Sequence, residues 1–158
     1  MQATAASPSE QSLPFGQASL SLAKAIRAGD LDAAQGCFAH DACLITPDAT
    51  AIYGLAEIRP ILAQLIAGGT VIQVETGSLV RVGNLALGSE RLHFRSRGVP
   101  HRQTFSAYTL LRWQGNEWRI AIAAPWGWGH EDCRCADSLM GRRLPGPHPG
   151  RGDRSRPV

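Results

Sequence analysis

After Gly68-Gly69 the sequence stops cycling and starts alternating. Four consecutive stretches of this kind, joined by short turns, constrain the fold more than any other feature of the chain. Ile72, Val74, Thr76, Val80 and Val82 share one side of a period-two pattern, and Gly83-Asn84 supplies a tight turn into Leu85 to Arg97. Gly98-Val99-Pro100 turns into Arg102 to Trp113, and Gln114-Gly115-Asn116 leads into Trp118 to Ala124. Strands in sequence with such short connections pair antiparallel, so the pattern predicts a four-strand meander.

The segments before it follow a helical period. Ala18, Leu22, Ala25 and Ile26 lie near one face, and Gly29 ends that helix. Asp30 is placed to cap a second short helix, with Leu31, Ala34 and Phe38 as its buried stripe. His40 and Asp41 leave the helix, and Ala42 to Thr46 reads as a short strand stopped by Pro47. Asp48-Ala49-Thr50 is turn-like, and Ala51 to Tyr53 returns as a second short strand. Leu55, Ile58, Leu62 and Leu65 predict a third helix over Leu55 to Ala67, although Pro60 inside it implies a position near the first turn or a kink. Helices first and long strands later is the α+β order. A strongly bent sheet with three helices across its open side would make a cone enclosing a pocket.

A chain of 158 residues suits one domain, expected over residues 18–129. Residues 1–17 are rich in Ala, Ser, Gln and Pro, and residues 130–158 in Gly, Pro and Arg, so both are expected to be disordered. The opening residues lack a basic start followed by an apolar run, and no apolar stretch approaches the ~20 residues that cross a bilayer. A cytoplasmic protein with no membrane partner is the expectation. The formal charge of +3 owes much to arginines after Gly141, which leaves no electrostatic footprint for nucleic acid. Cys37, Cys43, Cys133 and Cys135 read as free thiols. His130, Cys133, Cys135 and His148 do not match common zinc spacings, and the glycines fall at turns and helix ends rather than in a phosphate loop. Neither a metal nor a cofactor is implied.

Three strings resemble a known family. AGDLDAAQGCFAHDACLITPDA, Ala28 to Ala49, resembles the helix-helix-strand opening of the nuclear transport factor 2-like superfamily, in particular its ketosteroid isomerase-like and SnoaL-like branches. YGLAEIRPIL, Tyr53 to Leu62, is similar to the Gly-containing entry to that fold's third helix. YTLLRWQGNEWRIAIAAPWG, Tyr108 to Gly127, is similar to the last hairpin of small SnoaL-like proteins filed among polyketide cyclases and isomerases. Together they cover about Ala18 to Gly129. The resemblance implies a cone-shaped cavity for an apolar small molecule and, because strand faces in this superfamily commonly pair subunits, a homodimer.

The resemblance does not carry the isomerase machinery with it. Where that branch has an Asp base before a Pro, this chain has Thr46 before Pro47. Leu22 stands near the position of the hydrogen-bonding Tyr, and Thr109 near that of the second acid. Thr is no carboxylate base near neutral pH, and Leu donates nothing.

Other polar residues are candidates. If Leu92 and Phe94 face the cavity, Glu90 joins them, and a carboxyl in an apolar cavity has a raised pKa and can act as acid or base. Glu90 can equally be a strand residue paired with an arginine such as Arg112. The opposite phase would turn His93 and Arg91 inward to meet an anionic ligand; in the first phase His93 belongs to the outer face or a subunit interface. A one-residue bulge would exchange these assignments. Asp41 suits a cap or turn contact beside His40, and Asp48 an Asx turn. Tyr53 is a second candidate for handling protons, and Thr46, Thr109, Trp126 and His93 are candidate ligand contacts, since binding cavities combine an apolar wall with a few polar groups. Trp113, Trp118 and Trp128 are equally well explained by packing. The function implied is an isomerase, cyclase or hydrolase, with a non-catalytic ligand-binding or dimerisation module as the alternative.

Overall fold

The computed structural model describes residues 17–127, in the order α1 (Gln17–Ala28), α2 (Leu31–Gly36), β1 (Phe38–Ile45), β2 (Ala51–Tyr53), α3 (Leu55–Ala67), β3 (Val71–Val82), β4 (Leu85–Arg95), β5 (Gln103–Gln114) and β6 (Glu117–Ala124). Residues 1–16 and 128–158, with Trp128, His130, Cys133, Cys135 and His148, lie outside the described part. The architecture is α+β: three helices pack on one face of a curved, unclosed six-strand sheet ordered β2-β1-β6-β5-β4-β3. The meander β3 to β6 is antiparallel throughout, as the turns require. At the tip of the last hairpin Gly115 and Asn116 both take positive φ, 61° and 66°, which matches the twist of the two strands and suits these two residue types. Beside β6 lies β1, running parallel to it, a pairing that local pattern does not announce.

Two expectations are corrected. Phe38 opens β1 instead of closing the helical stripe of α2. The short helix ends at Gly36, where the Cys37 N–H reaches the Ala34 carbonyl, and Phe38 then pairs beside Ile120 and is wholly buried. Asp30 does cap α2, its carboxylate accepting from the Ala33 N–H at 2.9 Å. The second correction concerns β3. Ile72, Val74 and Thr76 oppose Phe94, Leu92 and Glu90, but the register shifts before Leu79 meets Gly88. That bulge turns Leu79 inward and sends Val80 and Val82 to the outer face. It requires Gly77, because a Cβ there would come within 2.6 Å of the Ser89 carbonyl oxygen.

Pro60 leaves α3 unbroken. Its missing N–H would have reached Ala56, and both residues face outward, where water can satisfy the freed carbonyl. The opposite side of α3 buries Ile58, Ile61, Leu62 and Leu65 against the sheet. Phe38, Phe94, Phe105, Ile58, Ile120 and Trp126 are the largest fully buried side chains, each worth ~1.5–3 kcal/mol of transfer free energy. Phe94 links them, meeting Phe105 edge-on at 5.6 Å and stacking near Trp126 at 6.3 Å.

Candidate functional site

Between α1, α3 and the inner face of the sheet lies a cavity of about 50 Å³. Leu22, Ala23 and Ile26 of α1, Leu62 and Leu65 of α3, and Phe38, Leu44, Ile72, Val74, Leu92, Phe94 and Ile120 of the sheet make its apolar wall. Ser19, Glu90, Thr109 and Trp126 are its polar members. The space exceeds the ~10–15 Å³ that one water needs.

Strand alternation places Glu90 here. Gly88, Glu90, Leu92 and Phe94 point inward from β4, and Thr109 opposes Gly88 from β5 on the same face. Glu90 is 6% exposed. Its Oε2 accepts from Ser19 Oγ at 2.8 Å and from Thr109 Oγ1 at 3.2 Å. No cation among the described residues touches it: Arg112, the alternative partner weighed from sequence, instead grips both oxygens of Asp41 at 2.8 and 3.0 Å. Burial therefore pushes the Glu90 carboxyl above its ordinary range, with the two hydroxyl donors pulling the other way. The Arg112 guanidinium has the reverse effect on exposed Asp41, holding its carboxyl below the usual range. Asp41 is thus an ion-pair partner within β1, not the cap or turn residue expected.

Trp126 follows β6 and is 2% exposed, with its indole Nε1 buried and without an acceptor among the described residues. Leu22 presents only hydrocarbon to the cavity.

The other candidates lie elsewhere. Tyr53 is 69% exposed. It opposes Cys43, which packs with Ile45, Ile122 and Ala124 apart from the main core, whereas Ile52 turns toward that core. Alternation on the short edge strand β2 thus carries Tyr53 away from the cavity. Thr46 is buried in the turn after β1, where its hydroxyl bonds Asp48 and the Thr50 carbonyl. The bond from Thr46 also holds the Asp48 carboxyl below its ordinary range.

His93 is buried on the outer face, its Nδ1 2.7 Å from Thr104 Oγ1 and its Nε2 2.7 Å from Glu75 Oε1. That bond holds the Glu75 carboxyl low. Ser19 was missed from sequence, yet it lies three residues before Leu22 and four before Ala23, so extending the α1 stripe by one turn would have found it. Among the described residues no group of three or more His, Cys, Asp or Glu side chains is arranged to hold a metal ion, and no helix is long and apolar enough to cross a membrane.

The fold recurs in solved structures. A ketosteroid isomerase-like protein from Erwinia carotovora atroseptica superposes with a TM-score of 0.60 at 17% identity, covering 70% of this chain and 90% of the other. A protein provisionally assigned as a dehydratase of the NTF2-like family, from Streptomyces avermitilis, gives 0.60 at 19% identity over 69% and 89%. An LEH-like epoxide hydrolase from M. tuberculosis gives 0.52 at 16% over 68% and 77%. At such identities the likeness establishes the fold and not the chemistry. A search of curated proteins finds no match. The sequence pattern of the SnoaL-like domain family matches residues 21–121, and the chain belongs to that family.

Proposed function

We propose that this SnoaL-like protein binds a compact, largely apolar small molecule and acts on it as an isomerase, cyclase or hydrolase, with Glu90 moving the proton. The observation that carries this reading is a buried carboxyl on the cavity wall that has hydroxyl donors but, among the described residues, no cation beside it. Burial raises the pKa of such a group, the direction in which a carboxyl becomes able to serve as an acid. Thr109 and Trp126 complete the ligand's surroundings. Likeness to proteins named as a dehydratase and an epoxide hydrolase adds support for an enzyme. Small molecules that co-purify, identified by native mass spectrometry, are the substrates to assay. Glu90→Gln should lower turnover by roughly 10²-fold or more while ligand and oligomer mass persist. Unchanged turnover in that variant would remove Glu90 from the chemistry, and no turnover of any bound compound would favour a non-catalytic ligand-binding module.

The outer sheet face supports a second copy of the chain as partner. Val80, Val82, Leu85, Leu87 and Tyr108 are exposed there together, and Val82 is 75% exposed. A contiguous apolar surface of this kind marks an interaction site. Sedimentation at micromolar concentration should give a dimer mass that Leu87→Asp reduces to the monomer; a monomeric parent protein would end this reading.

A further inference from the structure

On the side of the sheet away from the cavity, beyond the apolar band, β3, β4 and β5 gather charge around His93. Glu75, Arg91 and Ser106 stand side by side in one row, and Gln73, His93 and Thr104 in the next. Arg95 follows on β4 opposite Val71, and Arg102 comes two residues before Thr104, so alternation turns both outward. Arg91, Arg95 and Arg102 are all exposed. Among the described residues Glu75 is the one acid that these three strands turn outward, so three guanidinium charges face one carboxylate and an excess of two remains.

His93 fixes the chemistry beneath them. Its bond to Glu75 Oε1 at 2.7 Å, ahead of the charges of Arg91 and Arg102, holds that carboxyl below its ordinary range, so near neutral pH it is ionised and can only accept. Nε2 therefore carries a proton whether the ring is neutral or cationic. In the neutral ring Nδ1 is bare, and the Thr104 hydroxyl 2.7 Å away donates to it. A hydroxyl has one proton, so Thr104 then offers solvent only lone pairs. In the cationic ring Nδ1–H donates to Thr104 Oγ1, and the hydroxyl proton is free for an outside acceptor. Protonating His93 thus converts Thr104 from an acceptor to a donor and adds a positive charge among three arginines.

We propose that this cluster binds a dianionic tetrahedral oxyanion, a phosphate or sulfate group, through Arg91, Arg95, Arg102 and the Thr104 hydroxyl, with His93 taking up a proton as it binds. Guanidinium forks suit such oxygens, and the double negative charge balances the excess of two. Glu75 is a positioning residue that fixes which nitrogen of His93 faces Thr104. The site lies on the opposite side of the sheet from the cavity and does not depend on the reaction proposed there.

The test titrates sulfate, which keeps both charges across the histidine range, into the full-length protein at low salt, against chloride at matched ionic strength. NMR follows the imidazole signals of His93, assigned through His93→Gln, and the backbone amides of Arg102 and Thr104. Sulfate should raise the His93 titration midpoint by about half a pH unit, and by linkage it should bind about threefold more tightly to the cationic form than to the neutral one. His93→Gln should bind sulfate with an affinity that no longer varies between about pH 5 and 8. Thr104→Val keeps every arginine yet should shrink the midpoint shift, whereas Thr104→Ser should preserve it. The double variant Arg91→Gln, Arg102→Gln should lose the binding; should it fail to fold, the chloride comparison and His93→Gln still decide the matter. Phenyl phosphate, compared with sulfate above about pH 7 where a phosphate monoester is a dianion, separates the sources: tighter binding assigns the site to an ester, equal or weaker binding to the free ion. The same shifts in chloride would mean screening of exposed charges or an adventitious ion only, and would overturn the site. Sulfate binding that leaves the His93 midpoint in place overturns the coupling through Thr104.

Discussion

Glu90 and Glu75 face opposite sides of the same sheet, and their surroundings drive them in opposite directions. Glu90 lies inside, against hydrocarbon and two neutral hydroxyls, and burial raises its pKa. Glu75 lies on the exposed outer side of β3, bonded to His93 at 2.7 Å with Arg91 at 3.8 Å, and is lowered. A carboxylate with a partner and solvent stays charged; one with only dipoles and an apolar wall gains by holding its proton. The difference teaches that the inner face spends stability on a group able to exchange a proton, while the outer face spends none.

Four measurements break or sharpen this contrast. The largest effect is expected from Phe94→Ala, which removes a wholly buried ring shared by Phe105, Trp126 and the cavity wall. Urea unfolding should show a loss of about 3–5 kcal/mol; a much smaller loss would mean that the inner wall is loosely packed and that Glu90 is less dry than its surroundings imply. Gly77→Ala comes next. Its new methyl meets the Ser89 carbonyl, so the bulge must shift at a cost of about 1–3 kcal/mol, and NMR of Val80 and Val82 should report the disturbance. A neutral outcome would mean that the phase change between the two faces does not depend on this glycine.

The third measurement is the pH dependence of stability in Glu90→Gln. Because the folded Glu90 pKa is raised, its contribution is fully present below the ordinary carboxylate range and is lost as pH rises through the folded value. The parent's stability relative to the variant should therefore fall with rising pH across that window, and a flat difference would deny the raised pKa. Smallest is the same experiment with Glu75→Gln, where the sign reverses. Glu75 is lowered, so its contribution is present above the ordinary range and is lost as pH falls through the folded value. Solvent screening makes this difference the weaker of the two, and a slope of the same sign as that for Glu90 would erase the contrast between the faces.

Much of the architecture was legible because its causes are local. Asp30 capping α2, the stop at Gly29, the Gly115-Asn116 turn and the period change after Gly69 each act within a few residues. The inner placement of Glu90 could be posed as one of two strand phases, as Leu92 and Phe94 set the alternation, but choosing between them needs the helices that cover one face. Tyr53 misled because β2 is three residues long and its phase is set by pairing with β1, a contact that no local signal describes.

The sequence by itself determined the kind and order of the elements and the antiparallel meander. Tertiary structure alone decided that β1 lies parallel beside β6, that the Gly77 bulge turns Val80 and Val82 outward, and that Ser19 and Thr109 meet on one oxygen of Glu90. The division has a physical reason. Periodicity, caps and turns are decided by neighbours along the chain, whereas a carboxyl's partners and its dryness depend on side chains that folding brings together, here from positions 19, 90 and 109.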